Sequence, residues 1–404
     1  MKTGALLSDS PAFRFVLMMG VVNLFGDMTY EGGASINGPF LGSLGASAAT
    51  ISIAAGAGEF LGYSLRSVSG YVADKTGKYW PITLIGYAIN LLAVPAMALA
   101  SSWPLAALLI LAERTGRAIR KPTVEAMLSY STGKHGKGWV YAVNTALDET
   151  GATLGPLLIA LVLFTNGGES YRLSYGVLLG SALLALIFVT AARLVFPVPS
   201  RLERGGPRTA SITGFSRAYW LYMAAGACFA AGLMSYELIS YHLAKSGTVT
   251  QHWIPIFLAL ATAASVLATL VLGRLYDRVG IGAVVAAVLL AAAFSPLVFF
   301  GGFTVALAGL VLWGIGYATQ DTLLKALIAS ELPEGRRNLA FGLFYLGYAG
   351  GWLIGSVATG LLYEYSRPAL IAFAMSAQLA SIPLFITAAR AATRSRGLDA
   401  GAAR

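Results

Sequence analysis

Charged side chains that recur four residues apart inside long apolar stretches are the chemically informative residues of this chain. Asp27 and Glu31 stand one helical turn apart in the first stretch and therefore share a helix face. Two carboxylates held together away from water repel one another, so the pair suits the exchange of protons for a cationic solute. The bland alternative is that one of them neutralises a base of the fourth stretch. Glu59, midway along the second stretch, belongs to the same acidic group. The fourth stretch carries Glu113, Arg114, Arg117, Arg120, Lys121 and Glu125 around Gly116 and Pro122. Glu113 and Arg117 are four apart, as are Lys121 and Glu125. Folding the fourth and fifth stretches about a turn near residue 135 sets Arg120 and Lys121 level with Asp148 and Glu149. A structural charge network is the plain reading of Glu113, Arg120, Lys121 and Glu125. Arg114 is left with the least obvious local partner and, with Arg117, is the expected anion- or proton-linked site. A base at the centre of a bilayer costs about 3 kcal/mol unless paired or facing water, so these residues need a reason to be there.

The second half of the chain repeats the theme sparsely. Asp321 and Lys325 are four apart on the tenth stretch, with Asp321 about 15 Å from its cytoplasmic end and so near the midplane. They correspond to Lys121 and Glu125 at an offset of 200 residues, with the signs reversed. Asp321, Lys325 and Glu237 are expected to contact substrate. His242 is expected to be an unremarkable interfacial residue. Tyr30, Tyr236, Phe344, Tyr345 and Tyr348 could line a cavity, although packing or lipid contact is the commoner role for aromatics.

The elements that must position these groups follow from composition. Hydrophobic residues make up 57% of the 404 and charged residues 11%, against about 25% charged in a soluble domain. Twelve apolar segments follow one another, near 13–40, 47–72, 80–101, 104–130, 140–165, 171–195, 218–243, 253–273, 282–301, 303–330, 339–363 and 368–391. Most have the length needed to cross a hydrocarbon core of about 30 Å. The fold expected is an all-α membrane protein of twelve spans in two six-helix bundles, 1–195 and 217–404. The linker 196–216 between them holds Arg201, Glu203, Arg204 and Arg208. The first segment is too long, and too charged, for a cleavable signal.

Lys and Arg crowd alternate loops: Lys75, Lys78, Lys134, Lys137, Arg193 and the linker arginines on one side, only Arg172, Lys245 and Arg367 on the other. The crowded side is expected to be cytoplasmic, with both termini there, in an inner (plasma) membrane. The net charge of +10 is then topology and not a nucleic-acid patch. A single cysteine, Cys228, and three histidines supply no metal cluster, and no Gly-x-x-x-x-Gly-Lys-Ser/Thr loop is present. No cofactor, no metal and no enzymatic constellation are expected.

Internal repetition supports two halves. Gly151-x-x-x-Gly155 recurs as Gly351-x-x-x-Gly355, and Gly116 as Gly316, each 200 residues on. Gly70-x-x-x-Asp74-x-x-Gly77 recurs as Gly273-x-x-x-Asp277-x-x-Gly280, shifted by 203.

The loop Gly70-Tyr71-Val72-Ala73-Asp74-Lys75-Thr76-Gly77-Lys78 resembles the signature loop of the major facilitator superfamily, Gly-x-Leu-x-Asp-Arg-x-Gly-Arg. Gly70, Asp74 and Gly77 match, while Val72, Lys75 and Lys78 are near substitutions. Gly151-x-x-x-Gly155-Pro156 is similar to the motif of the family's antiporters, with Ile159 and Ala160 where a glycine pair is usual. The fourth stretch resembles the family's fourth-helix motif, although Ala118 stands where its glycine would fall. The resemblance covers the whole chain. It implies a gating role for Gly70, Asp74, Gly77, Lys78, Gly151, Gly155 and Pro156, and a proton-coupling role for an arginine of the fourth helix. With the acidic residues Asp27, Glu31, Glu59, Asp148 and Glu149 it leads to a proton-coupled exporter. That exporter would take a small polar or charged solute, work by alternating access and act as a monomer. Import of an organic anion and a membrane sensor that moves nothing are the alternatives.

Overall fold

Within a bilayer core no water reaches backbone N–H and C=O groups, so an apolar segment of spanning length folds as a helix. The computed structural model describes residues 11–129, 137–197, 215–324, 327–328 and 337–402, which are helical with short turns and contain no strand. Six long helices come first: α1 (Pro11–Ser43), α2 (Ala48–Thr76), α3 (Tyr79–Ala96), α4 (Trp103–Ser129), α5 (Lys137–Asn166) and α6 (Tyr171–Val195). The seventh span is two helices, α7 (Arg217–Leu233) and α8 (Tyr236–Ser246), followed by α9 (Trp253–Val279). The ninth is again two, α10 (Ile281–Ala292) and α11 (Phe294–Phe300). Then come α12 (Phe303–Ala318) with a π-helical turn over Thr319–Leu324, α13 (Arg337–Tyr365) and α14 (Arg367–Ala402).

Among the described residues, eight spans are apolar and long enough to cross a membrane by composition alone; α13 is not among them, nor are the three charged helices α1, α2 and α4. Those three helices carry Asp27, Glu31, Glu59, Glu113 and the arginines of the fourth span. Much of the candidate chemistry of the first unit thus lies on segments that depart from plain membrane composition, whereas Asp148, Glu149 and Glu237 lie on spans that do not.

Both broken spans have identifiable causes. The seventh, expected to be continuous, is interrupted at Met234, whose φ of 59° lies in the left-handed region, unusual for a residue with a side chain. The carbonyls released there are not wasted: the Trp313 indole N–H donates to Leu233 O (3.0 Å) and Met234 O (3.1 Å). The break places Glu237 in the first turn of α8, where the helix dipole favours an acid. In the ninth span Pro296 cannot donate to the carbonyl four residues back, and the helix is interrupted at Ala293.

The described chain forms two compact units: Met1–Ala46, Leu61–Pro207 and Thr250–Ala259 in the first, and Ser47–Phe60, Arg208–Val249 and Leu260–Arg404 in the second. In the first, α1 packs on α5 and α6, and α3 on α4. Phe15, Trp80, Tyr87, Met127, Ala182 and Val189 form its core. In the second, α7 packs on α13 and α14, and α10 on α12 and α14.

The repeated glycines explain how closely these helices approach. A Cβ on Gly151 or Gly155 would land on the carbonyl of Leu24 or Met28 of α1. A Cβ on Gly351 or Gly355 would land on the carbonyl of Ala227 or Ala231 of α7. Gly77 and Gly280 close α2 and α9 in the same way. Each has positive φ (66° and 57°), and each amide donates 2.8 Å to the carbonyl four residues back, Ala73 and Tyr276.

Candidate functional site

Backbone contact between glycines sets the geometry of the charged centre in the first unit. A Cβ on Gly116 would strike the Asn90 amide, and one on Gly86 would come within 2.7 Å of the Arg120 amide. This close approach of α3 and α4 slots Asn90 between two charged residues of α4. Its Nδ2 donates to Glu113 Oε1 (2.9 Å), and its Oδ1 accepts from Arg120 Nε (3.0 Å). On the other side, the Gly151 contact brings α5 against the face of α1 that bears Asn23 and Asp27.

The resulting network runs through four helices. Asn23 Nδ2 donates to Asn144 Oδ1 (3.2 Å), and the Tyr87 hydroxyl donates to Asn23 Oδ1 (2.7 Å). The Arg120 guanidinium lies 4.5 Å above the Tyr87 ring and 3.8 Å, Nη2 to Oδ1, from Asp27. Glu113 holds two further guanidiniums, Arg114 Nε at 3.3 Å through Oε2 and Arg117 Nε at 3.5 Å through Oε1. Arg117 in turn sits 4.5 Å above the Tyr30 ring. Asp27, Glu113 and Arg120 are 8%, 7% and 6% exposed, so the charges are inside the bundle and not on its rim. Asp148 is within electrostatic reach of Asp27, Lys121 and Arg120, and its Oδ1 is buried with no hydrogen-bond partner among the described residues.

Several expectations meet this geometry directly. The spacing pairs Glu113 with Arg117, and the fold does so. Arg120 and Lys121 do come level with Asp148. Asp27 neutralises a base of the fourth helix, and that base is Arg120. Arg114, which spacing leaves without an obvious partner, is held by its own neighbour Glu113, because one carboxylate can serve two guanidiniums through different oxygens.

Other candidates lie around or away from this centre. Glu31 and Glu149 are half-buried, and Glu31 is electrostatically linked to Asp27. Glu59 is half-buried on the part of α2 that belongs to the second unit. Glu237 is buried in the second unit. Asp321 lies in the π-helical turn, a geometry often found at functional positions. Lys325 lies outside the described residues. Asp74 is exposed and accepts from the Tyr79 hydroxyl (2.7 Å), and Lys78 is exposed beside it. Pro156 is buried in α5, beyond the two glycines that press on α1.

His242 is packed within the second unit. It is 2% exposed, with its Nδ1 3.0 Å from the Tyr363 hydroxyl and its ring 4.7 Å from that of Phe299. Tyr236, Phe344 and Tyr348 are likewise packed and buried.

Arg66 was missed from the sequence. Its guanidinium lies 4.5 Å above the Tyr63 ring, and its Nε is buried with no hydrogen-bond partner among the described residues. The neighbours Gly62, Ser69 and Gly70 face α4 at Arg114, Ala118 and Pro122. A base spaced among small residues at 62, 66, 69 and 70 was the available signal.

A profile of the Major Facilitator Superfamily matches residues 16–356 and 238–402. An uncharacterized protein of Mycobacterium tuberculosis is 32% identical over 388 residues, covering 94% of each chain. An uncharacterized MFS-type transporter of Methanocaldococcus jannaschii is 23% identical over 372 residues, covering 89% of this chain and 91% of its own. Among solved structures, a POT family transporter superposes with a TM-score of 0.76 at 11% identity, over 94% of this chain and 97% of that one. The nucleoside transporter NupG does so at 0.70 and 16% identity, over 94% and 98%. At such identities these two likenesses establish the fold alone. With the sequence match along the whole chain and the twelve spans in hand, the chain belongs to the Major Facilitator Superfamily of membrane transporters.

Proposed function

We propose that this transporter exports a small polar or charged solute in exchange for protons, by alternating access. One observation carries the reading: Asp27 and Arg120 form a buried pair at membrane depth in the first unit, beside the carboxylate of Asp148. A buried ion pair is costly to assemble and weak evidence for stability, so a bundle that keeps one needs another use for it. Protons bound at Asp27, with Glu31 and Asp148 beside it, release Arg120 from its carboxylate, and their loss restores the pair. Glu113 meanwhile holds Arg114 and Arg117 ready for an anionic part of the solute. Glu237, Asp321 and Lys325 are the contribution of the second half to recognition, while Glu59 and Glu149 extend the acidic group. The loop with Gly70, Asp74, Gly77 and Lys78 and the Gly151-x-x-x-Gly155-Pro156 face of α5 serve gating. The protein works as a monomer in the inner membrane with both termini cytoplasmic.

Flux through proteoliposomes under an imposed pH gradient tests the proposal. Acid on the side opposite the solute is expected to accelerate its exit. Asp27→Asn is expected to abolish that acceleration while leaving solute exchange down its own gradient. Flux indifferent to the gradient in the unaltered protein, for every polar solute tried, overturns the coupling. A second reading, proton-driven import of an organic anion, is favoured by Arg66, whose Nε is buried with no hydrogen-bond partner among the described residues. It predicts acceleration when acid and solute share a side.

A further inference from the structure

Loop charge makes the expected outer face poor in cations, with only Arg172, Lys245 and Arg367. Two of those three converge on one pocket of about 440 Å³ in the second unit, at the ends of α8 and α13 and the start of α14. Lys245 and Arg367 are both exposed, and neither is in an ion pair among the described residues. Lys245 Nζ donates to the Tyr241 hydroxyl (3.0 Å) and lies 5.2 and 5.9 Å from the Tyr241 and Tyr363 ring centres. One acid, Glu364, also lines the pocket, and its Oε1 is engaged by the Ala49 amide at the start of α2 (3.2 Å). The walls are packed aromatics. Tyr363 is buried and its hydroxyl is fixed by His242, and Tyr241 is buried against the Tyr363 ring. Tyr365 is 88% exposed at the mouth, as an aromatic at the membrane–water boundary would be.

We propose that this pocket binds a phosphoryl group, from an anionic phospholipid of the outer leaflet or from phosphate in solution. The guanidinium of Arg367 offers a planar fork of donors, and the Lys245 ammonium offers a compact charge. Between them they supply charge-assisted hydrogen bonds to phosphate oxygens, and the tyrosine rings cover the less polar side of the ligand. The site is separate from the charged centre of the first unit and independent of the transported solute.

Purified protein in neutral detergent is titrated with inorganic phosphate against matched sodium chloride, and with short-chain phosphatidylglycerol against a monoacylglycerol lacking phosphate. Thermal unfolding is followed throughout. A ligand-dependent rise in Tm is expected. Lys245→Gln and Arg367→Gln are each expected to weaken the apparent affinity by roughly tenfold. Arg172→Gln, an exposed outer base of the first unit, should leave it unchanged. Lys245→Gln alone carries the test should Arg367→Gln fail to fold. A response to phosphatidylglycerol only assigns the lipid headgroup, and a response to phosphate assigns the free anion. No response to either, or a response that survives both substitutions, overturns the proposal.

Discussion

The two units repeat a scaffold and do not repeat its chemistry. Gly151 and Gly155 seat α5 on Leu24 and Met28 of α1, and Gly351 and Gly355 seat α13 on Ala227 and Ala231 of α7. These paired contacts set Ala230 at the place of Asp27. The offset of 200 sets Trp313 at the place of Glu113 and Gln320 at that of Arg120. The second unit thus builds the same helix contacts around buried neutral groups: Ala230, Trp313 and a Gln320 that accepts from the Tyr348 hydroxyl (2.8 Å). The fold can be held without charge at these positions. The ion pair of the first unit is accordingly kept for something other than packing, which is why it carries the functional reading.

Breaking the buried pair tests this comparison with the largest expected effect. Arg120→Leu leaves Asp27 buried without its base and should cost about 3–5 kcal/mol. Gln320→Leu in the second unit removes one neutral hydrogen bond and should cost about 1 kcal/mol. Thermal unfolding of the purified variants measures both. Writing the second unit's residues into the first sharpens the contrast. Asp27→Ala with Arg120→Gln should recover most of the lost stability while pH-driven flux stays absent. A double variant as unstable as Arg120→Leu would show that the charges hold the fold after all.

Closer to the backbone the two units should behave alike. Gly151→Ala and Gly351→Ala each push a methyl onto a carbonyl of the facing helix, at about 1–3 kcal/mol apiece. Similar losses in the two variants support a shared packing role. A much larger loss of flux than of stability for Gly151→Ala alone would give that face the gating role its antiporter-like motif implies.

Much of this architecture was legible in the sequence, because spans and glycine repeats leave strong periodic and positional signals. Twelve segments, the offset of 200 and the Glu113–Arg117 pair all follow from spacing along a helix. What spacing could not show depends on how helices are rotated against one another. The Asn90 side chain joins Glu113 to Arg120 across two helices, and nothing in a lone asparagine announces that. Arg114 found Glu113 next to it in sequence because the carboxylate reaches along the helix surface, and the spacing rule ignores adjacent residues. The break in the seventh span at Met234, a non-glycine residue with positive φ, likewise has no signature in the sequence.

The smallest effects should come from the two loops that first suggested a repeat. Gly77 and Gly280 end their helices at φ of 66° and 57°, so an alanine at either strains the backbone, by about 1–2 kcal/mol where the conformation is left-handed helical and by more at Gly280, whose ψ of −128° lies outside that region. Neither has a neighbour within 4 Å of the added methyl, so packing adds nothing and each thermal shift should report backbone strain alone, the larger at Gly280. Flux should not follow that order. The first loop is tied by the Tyr79 hydroxyl to Asp74, whereas at the equivalent offset from Asp277 the chain has Gly282, which can offer no hydroxyl. If that bond positions the loop during the transport cycle, Gly77→Ala slows exchange beyond its effect on stability and Gly280→Ala does not. Equal slowing by both variants would mean that the loops act as simple helix ends, and that asymmetry between the halves is confined to the membrane interior.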